Sequence, residues 1–400
     1  MESPSIFAVA VDTSEFLDAA IGRVCQDLGS KFAESIDLAM VFASGYSPDE
    51  FDRHLPLMQE LLKAKHVMGC NCETAIAAKR EYEGKKCLTV WIAHLPGTQL
   101  LPMHLDFERN ADGGAIVGWP DEISGQWPAA CKLLAIGEPF GFPMDGLLER
   151  FNEDRPDVEI IGGMASGAIT PDESRLLLNA ETFQTGAVVI RLSGSNYIQT
   201  VVSQGCRPIG EPMVVTQSER NVIFQLGGEP ALVKLKKIFD TLPTREQRMV
   251  EHGLQLGRVI SEYQENFEYG DFLIRNVVSF DPDSGAIVVA DYMKVGQTVQ
   301  FHIRDHETAT AEMQQLLVNQ MSNHPIQSAL LFTCNGRGTR MFPEPNHDAE
   351  LLSKTLGADL IAGLFAAGEI GSVGGKNFLH GFTASIALFS EKAIPCTNQN

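Results

Sequence analysis

The chain has 400 residues, 44% apolar and 20% charged, long enough to bury the cores of two domains. Its formal net charge of −20 repels phosphate backbones and anionic lipid surfaces, which disfavours nucleic acid and membrane as partners. The eight cysteines are scattered rather than paired in spacing, as fits reduced thiols, and Cys70 and Cys72 lack the second pair that zinc needs.

Residues 1–12 carry no basic region ahead of a short apolar run and read as a first strand rather than a signal peptide. No stretch approaches about eighteen apolar residues, so no membrane span is expected and the protein reads as cytoplasmic. Thr13 is placed to cap a helix with Leu17, Ala20, Ile21, Val24, Leu28 and Phe32 on one face. A strand follows at 37–44. Ser47-Pro48-Asp49-Glu50 then opens a helix with a capping box, buried through Phe51, Leu55, Met58 and Leu62. Strands are predicted at 66–70 and 87–93, and a short helix between 119 and 134 leads into a strand ending at Ile136. A helix runs to Phe151, followed by strands at 159–163 and 185–192, the latter pairing with 196–202 and 214–226. Pro230 opens a short basic helix, and a second capping pattern at Thr244 and Gln247 starts a helix reaching about Glu265. Residues 276–280 and 286–291 form a hairpin whose Asp281–Gly285 turn superficially matches a calcium loop but lacks its later ligands. A strand at 301–304 and a helix with Met313, Leu316, Leu317 and Met321 precede the last third. The tail, 391–400, is short and polar and reads as disordered.

Residues 37–97, 131–194 and 328–390 share one plan: an apolar strand, a turn, a helical stretch, a strand entering small residues, and a closing strand. A crossover through a helix makes the first two strands parallel, and the closing strand returns antiparallel. The expected fold class is therefore α+β, with mixed sheets, helices on their outer faces and pseudo-repeated β-α-β-β units. Only the third copy carries a dense polar set, Cys334, Asn335, Arg337, Glu369 and His380, at strand ends separated by Gly336, Gly338 and Gly371. Glycines there let backbone N–H groups approach a ligand that the polar groups orient.

Three motifs, Cys334-Asn335-Gly336-Arg337-Gly338, Gly368-Glu369-Ile370-Gly371 and His380-Gly381-Phe382-Thr383, resemble the C-terminal half of the FIST family, named for F-box and intracellular signal transduction proteins. Segments 205–210 (with Cys206 and Arg207), 227–232, 270–275 and 301–305 follow the same family pattern, so the resemblance spans roughly residues 35–390. It implies a FIST N-terminal domain over 35–235 and a FIST C-terminal domain over 236–390, preceded by a strand and helix in 1–34. It also implies a sensor for a small ligand, amino acids being the usual suggestion, acting without a cofactor. Family members often carry an F-box or a kinase, cyclase or chemoreceptor module. Neither end of this chain has room for one, so the output is expected through a separate protein in trans, with oligomerisation left open.

Arg337 presents a planar fork suited to a carboxylate, or else pairs structurally with Glu369 or a helix end. Glu369 suits an ammonium, and together the two match a zwitterion. Cys334 with His380 offers a nucleophile and base, against the blander reading of a core cysteine. Thr383, Gly371, Cys206 and Arg207 enter the candidate ligand set through the resemblance. Asn346-His347-Asp348 reads as a helix start in preference to a metal site. A ligand-binding sensor is thus preferred over a Cys334 enzyme or an interaction scaffold.

Overall fold

Strand β1 (Ile6–Asp12) leads into α1 (Leu17–Lys31), where Leu17, Ala20, Ile21, Val24 and Leu28 form one buried face. The helix starts later than Thr13 would cap it, because Asp12 Oδ1 accepts the Ser14 N–H at 2.8 Å and holds a turn there. The computed structural model describes residues 4–110, 113–123, 127–128, 131–194, 197–263, 267, 271–321 and 325–390. The tail expected to be disordered lies outside them. Two units form: Met1–Val202 with Gln314–Asn400, and Ser203–Met313.

The first copy of the repeat comprises β2 (Leu38–Ser44), α2 (Pro48–His54), α3 (Met58–Leu62), β3 (His66–Cys72), β4 (Ala75–Ala77), β5 (Arg80–Glu81) and β6 (Cys87–His94). The expected capping box is present, with Glu50 N donating to Ser47 Oγ and Ser47 N to Glu50 Oε2. A 3-10 turn at Leu55–Leu57, containing Pro56, divides the predicted single helix, yet Phe51, Leu55, Met58 and Leu62 all remain buried. After β7 (Thr98–Glu108) and β8 (Ala115–Val117), the second copy runs through β9 (Lys132–Gly137), α4 (Met144–Asp154), β10 (Glu159–Met164), β11 (Leu176–Leu178), β12 (Glu181–Phe183) and β13 (Ala187–Gly194). Strand β14 (Tyr197–Ser203) follows.

The second unit contains β15 (Cys206–Glu219), β16 (Val222–Leu226), β17 (Glu229–Pro230), α5 (Ala231–Thr241), α6 (Thr244–His252), β18 (Leu254–Val259), β19 (Phe272–Asp281), β20 (Ala286–Val289) and β21 (Thr298–Arg304). Its sheet has the order β15-β21-β18-β19-β20-β16-β17, and β15 also pairs β16. The predicted long helix from Thr244 stops at Gly253. Leu254 and Leu256 are buried in β18 instead, where Leu256 lies opposite Phe301. Pairing with two neighbours overrides the helical pattern there. The Asp281 carboxylate accepts from Ser284 Oγ and Asp283 N, closing the β19–β20 turn. Helix α7 (His306–Met321) starts at Asp305, whose carboxylate accepts from Glu307 N and Thr308 Oγ1 as a cap.

The third copy is β22 (Ile326–Cys334), α8 (His347–Leu356), β23 (Ile361–Ala366), β24 (Glu369–Val373), β25 (Lys376–His380) and β26 (Ala384–Ser390). In every copy the first strand is parallel to the second and antiparallel to the last, as the crossover argument requires. The copies hold a β-hairpin that the β-α-β-β reading omits. The predicted pairing of 185–192 with 196–202 and 214–226 does not form. Strand β14 lies beside β26, and β15 and β16 belong to the second unit.

Each hairpin leaves its own copy. Strand β4 pairs β23, β11 pairs β3, and β24 pairs β10, so the three copies exchange hairpins in a ring. The three second strands share a glycine at the same register. Ideal Cβ atoms at Gly69, Gly162 and Gly363 would lie 2.0, 1.8 and 1.8 Å from the carbonyl oxygens of Val41, Ala135 and Leu331. These are the residues that the glycines face on β2, β9 and β22. Alternate residues of the first strands, Met40 and Phe42, Leu134 and Ile136, Leu330 and Phe332, meet with Trp91 and Phe389 in one apolar cluster. Their neighbours face outward, against α1–α3 in the first copy and α4 in the second.

Candidate functional site

The common plan shows which residues the fold needs. Opposite the shared glycines stand Ile76, Leu177 and Ile370, so the residues one step earlier, Ala75, Leu176 and Glu369, are equivalent. Ala75 and Leu176 belong to the central apolar cluster. Glu369 places a carboxyl, 0% exposed, where the other two copies have hydrocarbon. Packing does not call for that group.

Glu369 Oε2 accepts the Thr383 N–H at 3.0 Å and the Thr383 hydroxyl at 2.9 Å. Among the described residues Oε1 is buried with no partner at full hydrogen-bond geometry, and its polar neighbour is the Cys334 thiol, a weak donor that lowers the Glu369 pKa. Burial raises the Glu369 pKa to about 8, against the lowering effect of the Thr383 bonds, so the carboxyl is largely protonated at neutral pH. Burial, then the neighbouring Glu369 charge, pushes the Cys334 thiol up to about 12. That thiol is neutral and accepts the Gly336 N–H at 3.4 Å, so Cys334 lacks the thiolate that nucleophilic chemistry requires. His380 is the cross-strand partner of Glu369, and its Nε2 lies 3.1 Å from the Gly371 carbonyl. A Cβ at Gly371 would come within 2.4 Å of Val202 and 2.7 Å of the Ser385 hydroxyl, so only glycine fits beneath this cluster.

Arg337 follows on the turn after β22. Backbone bonds hold that turn, Cys334 N to the Thr383 carbonyl and Asn335 N to the Ala366 carbonyl. The Arg337 fork is fully buried and bidentate on Asp348, Nε to Oδ2 at 2.7 Å and Nη2 to Oδ1 at 2.8 Å. Phe342 stacks on the guanidinium at 5.1 Å, and Nη1 donates to the Phe382 carbonyl. Asp348 occupies the fork that the sequence offered to a ligand carboxylate, which is the structural alternative for this arginine. The partner is neither Glu369 nor a helix C-terminus but the first turn of α8. Arg337 overcomes the effect of burial and holds the Asp348 carboxyl well below its ordinary value. Thr333 Oγ1 and His347 Nδ1 also reach Asp348, and Glu81 Oε1 caps the helix by accepting from Asp348 N and Ala349 N. Glu81, Thr333 and Phe342 escaped the sequence reading, and Asp348 entered it without its role as the partner of Arg337. The helix start at Asn346-His347-Asp348 was its one visible trace.

Gly338 has φ +56°, and a Cβ there would strike the Phe365 ring at 2.6 Å, which fixes the turn that presents Arg340. Arg340 is more than half exposed, donates to the Asn335 carbonyl at 2.6 Å, and pairs with Glu73. Asn335 Oδ1 is buried with no hydrogen-bond partner among the described residues. The first unit thus gathers Cys334, Asn335, Arg337, Glu369, His380 and Thr383 around one turn and one hairpin. Cys206 and Arg207 lie in the second unit. There Cys206 is buried with Val259, Phe272 and Ile274, while Arg207 pairs with Glu246 at 3.1 Å and Asp305 at 3.4 Å.

A model of the FIST N domain matches residues 37–229, and one of the FIST C domain matches residues 231–372. The chain belongs to the FIST family. FIST domains are associated with signal transduction and are proposed to bind small ligands. Uncharacterized protein Rv0628c of Mycobacterium tuberculosis (strain ATCC 25618 / H37Rv) is 39% identical over 355 residues, 88% of this FIST chain and 91% of that protein. Uncharacterized protein Mb0898c of Mycobacterium bovis is 36% identical over 379 residues, 94% and 96% of the two chains. No helix among the described residues is long and apolar enough to cross a membrane.

Proposed function

We propose that this FIST protein is a sensor for an amino acid or related zwitterion, with the ligand ammonium read by Glu369 and its signal passed to a separate output protein. One observation carries the reading. Glu369 is a buried carboxyl whose Oε1, among the described residues, has only the weak Cys334 thiol beside it, at a position that the other copies fill with Ala75 and Leu176. A buried carboxyl oxygen with no better partner than a thiol costs stability, and a fold that retains one where hydrocarbon fits has another use for it. The carboxylate end falls to Arg340, the open cation of the same turn, which exchanges its exposed Glu73 partner for the ligand. Arg337 and Asp348 position that turn.

An ammonium requires the ionised form of Glu369, so its proton passes to solvent on binding. Affinity for glycine, lysine or glutamate should rise about tenfold per unit as pH climbs toward 8. Thermal shift across a panel of these amino acids identifies the ligand, since binding only to the folded state raises its stability. Calorimetry in buffers of different ionisation heat then counts the proton. A wild-type protein that no amino acid stabilises, or a Glu369→Gln variant that binds as tightly as wild type, overturns the assignment.

A further inference from the structure

A cavity of about 280 Å³ in the first unit opens beside the β4–β5 hairpin and the start of α8. Lys79, Arg80 and Lys85 line it, together with Glu81, Tyr82, Asn346 and Glu350. Backbone bonds hold the frame, Ala78 N to the Ile361 carbonyl at 2.8 Å and Lys85 N to the Tyr82 carbonyl at 3.3 Å. Asn346 Oδ1 accepts the Glu81 N–H at 2.9 Å, which ties the hairpin to the helix start. The volume lies just under the range of drug-sized sites and suits a small charged group with a few attached carbons.

All three cations are exposed, and none has an acidic partner among the described residues. That is unexpected in a chain with 51 acidic and 31 basic side chains. The carboxyls around them are each committed elsewhere. Glu81 Oε1 caps α8, Glu83 accepts from Thr339 N and Oγ1, and Glu350 pairs with Lys354 at 2.9 Å. Burial, then the charge of Asp348, pushes the Glu81 carboxyl toward its neutral form, so it does not offset the cations. Two neutral donors complete the lining. The Asn346 amide nitrogen and the Tyr82 hydroxyl have no hydrogen-bond partner among the described residues, and Arg80 is near enough to Tyr82 to act on its titration.

We infer that this cavity is an anion site for a phosphoryl group, supplied by a small phosphomonoester or by inorganic phosphate. The planar Arg80 fork matches two phosphoryl oxygens at once, while Lys79 and Lys85 supply point charges. A phosphoryl group carries about 1.5 to 2 negative charges at neutral pH, so three unpaired cations favour it over a single carboxylate. The helix end itself is not the donor, because Glu81 already takes the N–H groups of Asp348 and Ala349. The cavity shares no residue with the Glu369 cluster and does not rest on the amino-acid reading.

Calorimetry on the full chain at constant ionic strength, with glycerol 3-phosphate, inorganic phosphate and acetate as probes, tests the assignment. Either phosphate should bind saturably, and acetate should bind far more weakly. Tighter binding of glycerol 3-phosphate than of inorganic phosphate assigns the site to a phosphomonoester, and equal or weaker binding assigns it to free phosphate. Arg80→Gln should weaken both roughly ten- to hundredfold, the worth of charge-assisted hydrogen bonds, and Lys85→Gln should weaken them less. Both side chains are exposed, so the melting temperature should hold. Lys31→Gln, which removes an exposed cation on α1, and Glu369→Gln should leave phosphate binding unchanged. No saturable binding of phosphate, acetate as tight as phosphate, undiminished binding by folded Arg80→Gln, or an equal loss from Lys31→Gln overturns the inference.

Discussion

Replacing Glu369 by glutamine tests the electrostatics of the site without touching its shape. The glutamine carbonyl can accept both Thr383 donors, and its amide can face Cys334, whose sulfur is a weak acceptor. The wild-type carboxyl titrates at about 8 in the folded protein against an ordinary value of 4.5. The folded state therefore holds the proton more tightly. Its contribution is fully present below pH 4.5 and is lost as pH rises through about 8. Three and a half units correspond to an upper limit of about 5 kcal/mol across that window, of which roughly 3 kcal/mol is already lost at neutral pH. Glutamine carries no such dependence. Urea melts of both proteins from pH 5 to pH 9 should show the variant gaining on the wild type steadily and levelling off above about pH 8. Parallel pH profiles would refute the claim that Glu369 is buried and protonated.

Arg337→Lys keeps a charge but loses the fork on Asp348, and breaking a buried pair in this way should cost about 3–5 kcal/mol in a denaturant melt. A change below about 1 kcal/mol, the scale of a surface pair, would show that Asp348 is not its structural partner. Iodoacetamide should leave Cys334 unmodified in the folded protein at neutral pH, because its thiol titrates at about 12. Mass spectrometry that finds Cys334 labelled first among the cysteines would restore the nucleophile reading. Gly363→Ala forces a methyl onto the Leu331 carbonyl and should destabilise by several kcal/mol, with Gly69→Ala and Gly162→Ala similar. Unequal costs among the three, read from melting temperatures, would break the equivalence of the copies.

The three-fold plan was legible because long apolar runs set β2, β9 and β22 and their crossover helices, and chirality dictated how the next strands pair. The hairpins were not, since β4 and β5 span only Ala75–Ala77 and Arg80–Glu81, too short to show a period. Their exchange is a tertiary fact that no local window contains. The Thr244 pattern misled for the converse reason: the helix signal is real, but β18 gains more by lying between β19 and β21. At the site, the residue types of the polar cluster were visible while their partners were not. Arg337 looked available because Asp348, eleven positions on, reads locally as an ordinary helix opening. Glu369 gained its meaning only when register placed it level with Ala75 and Leu176.

The ring of exchanged hairpins bears on how the first unit can be made and lost. No copy completes its own sheet. One edge of β23 is open until β4 of the first copy covers it, and one edge of β10 stays open until the third is synthesised and delivers β24. A nascent chain released before residue 369 would present β10 with unpaired backbone groups, an invitation to pair with another molecule. The interlock also has no weakest copy to peel away, because removing one strips a strand from a second and orphans its own from a third. Truncations within this unit should therefore yield aggregates rather than smaller folded pieces, and an intact chain should resist proteolysis until the whole ring opens at once.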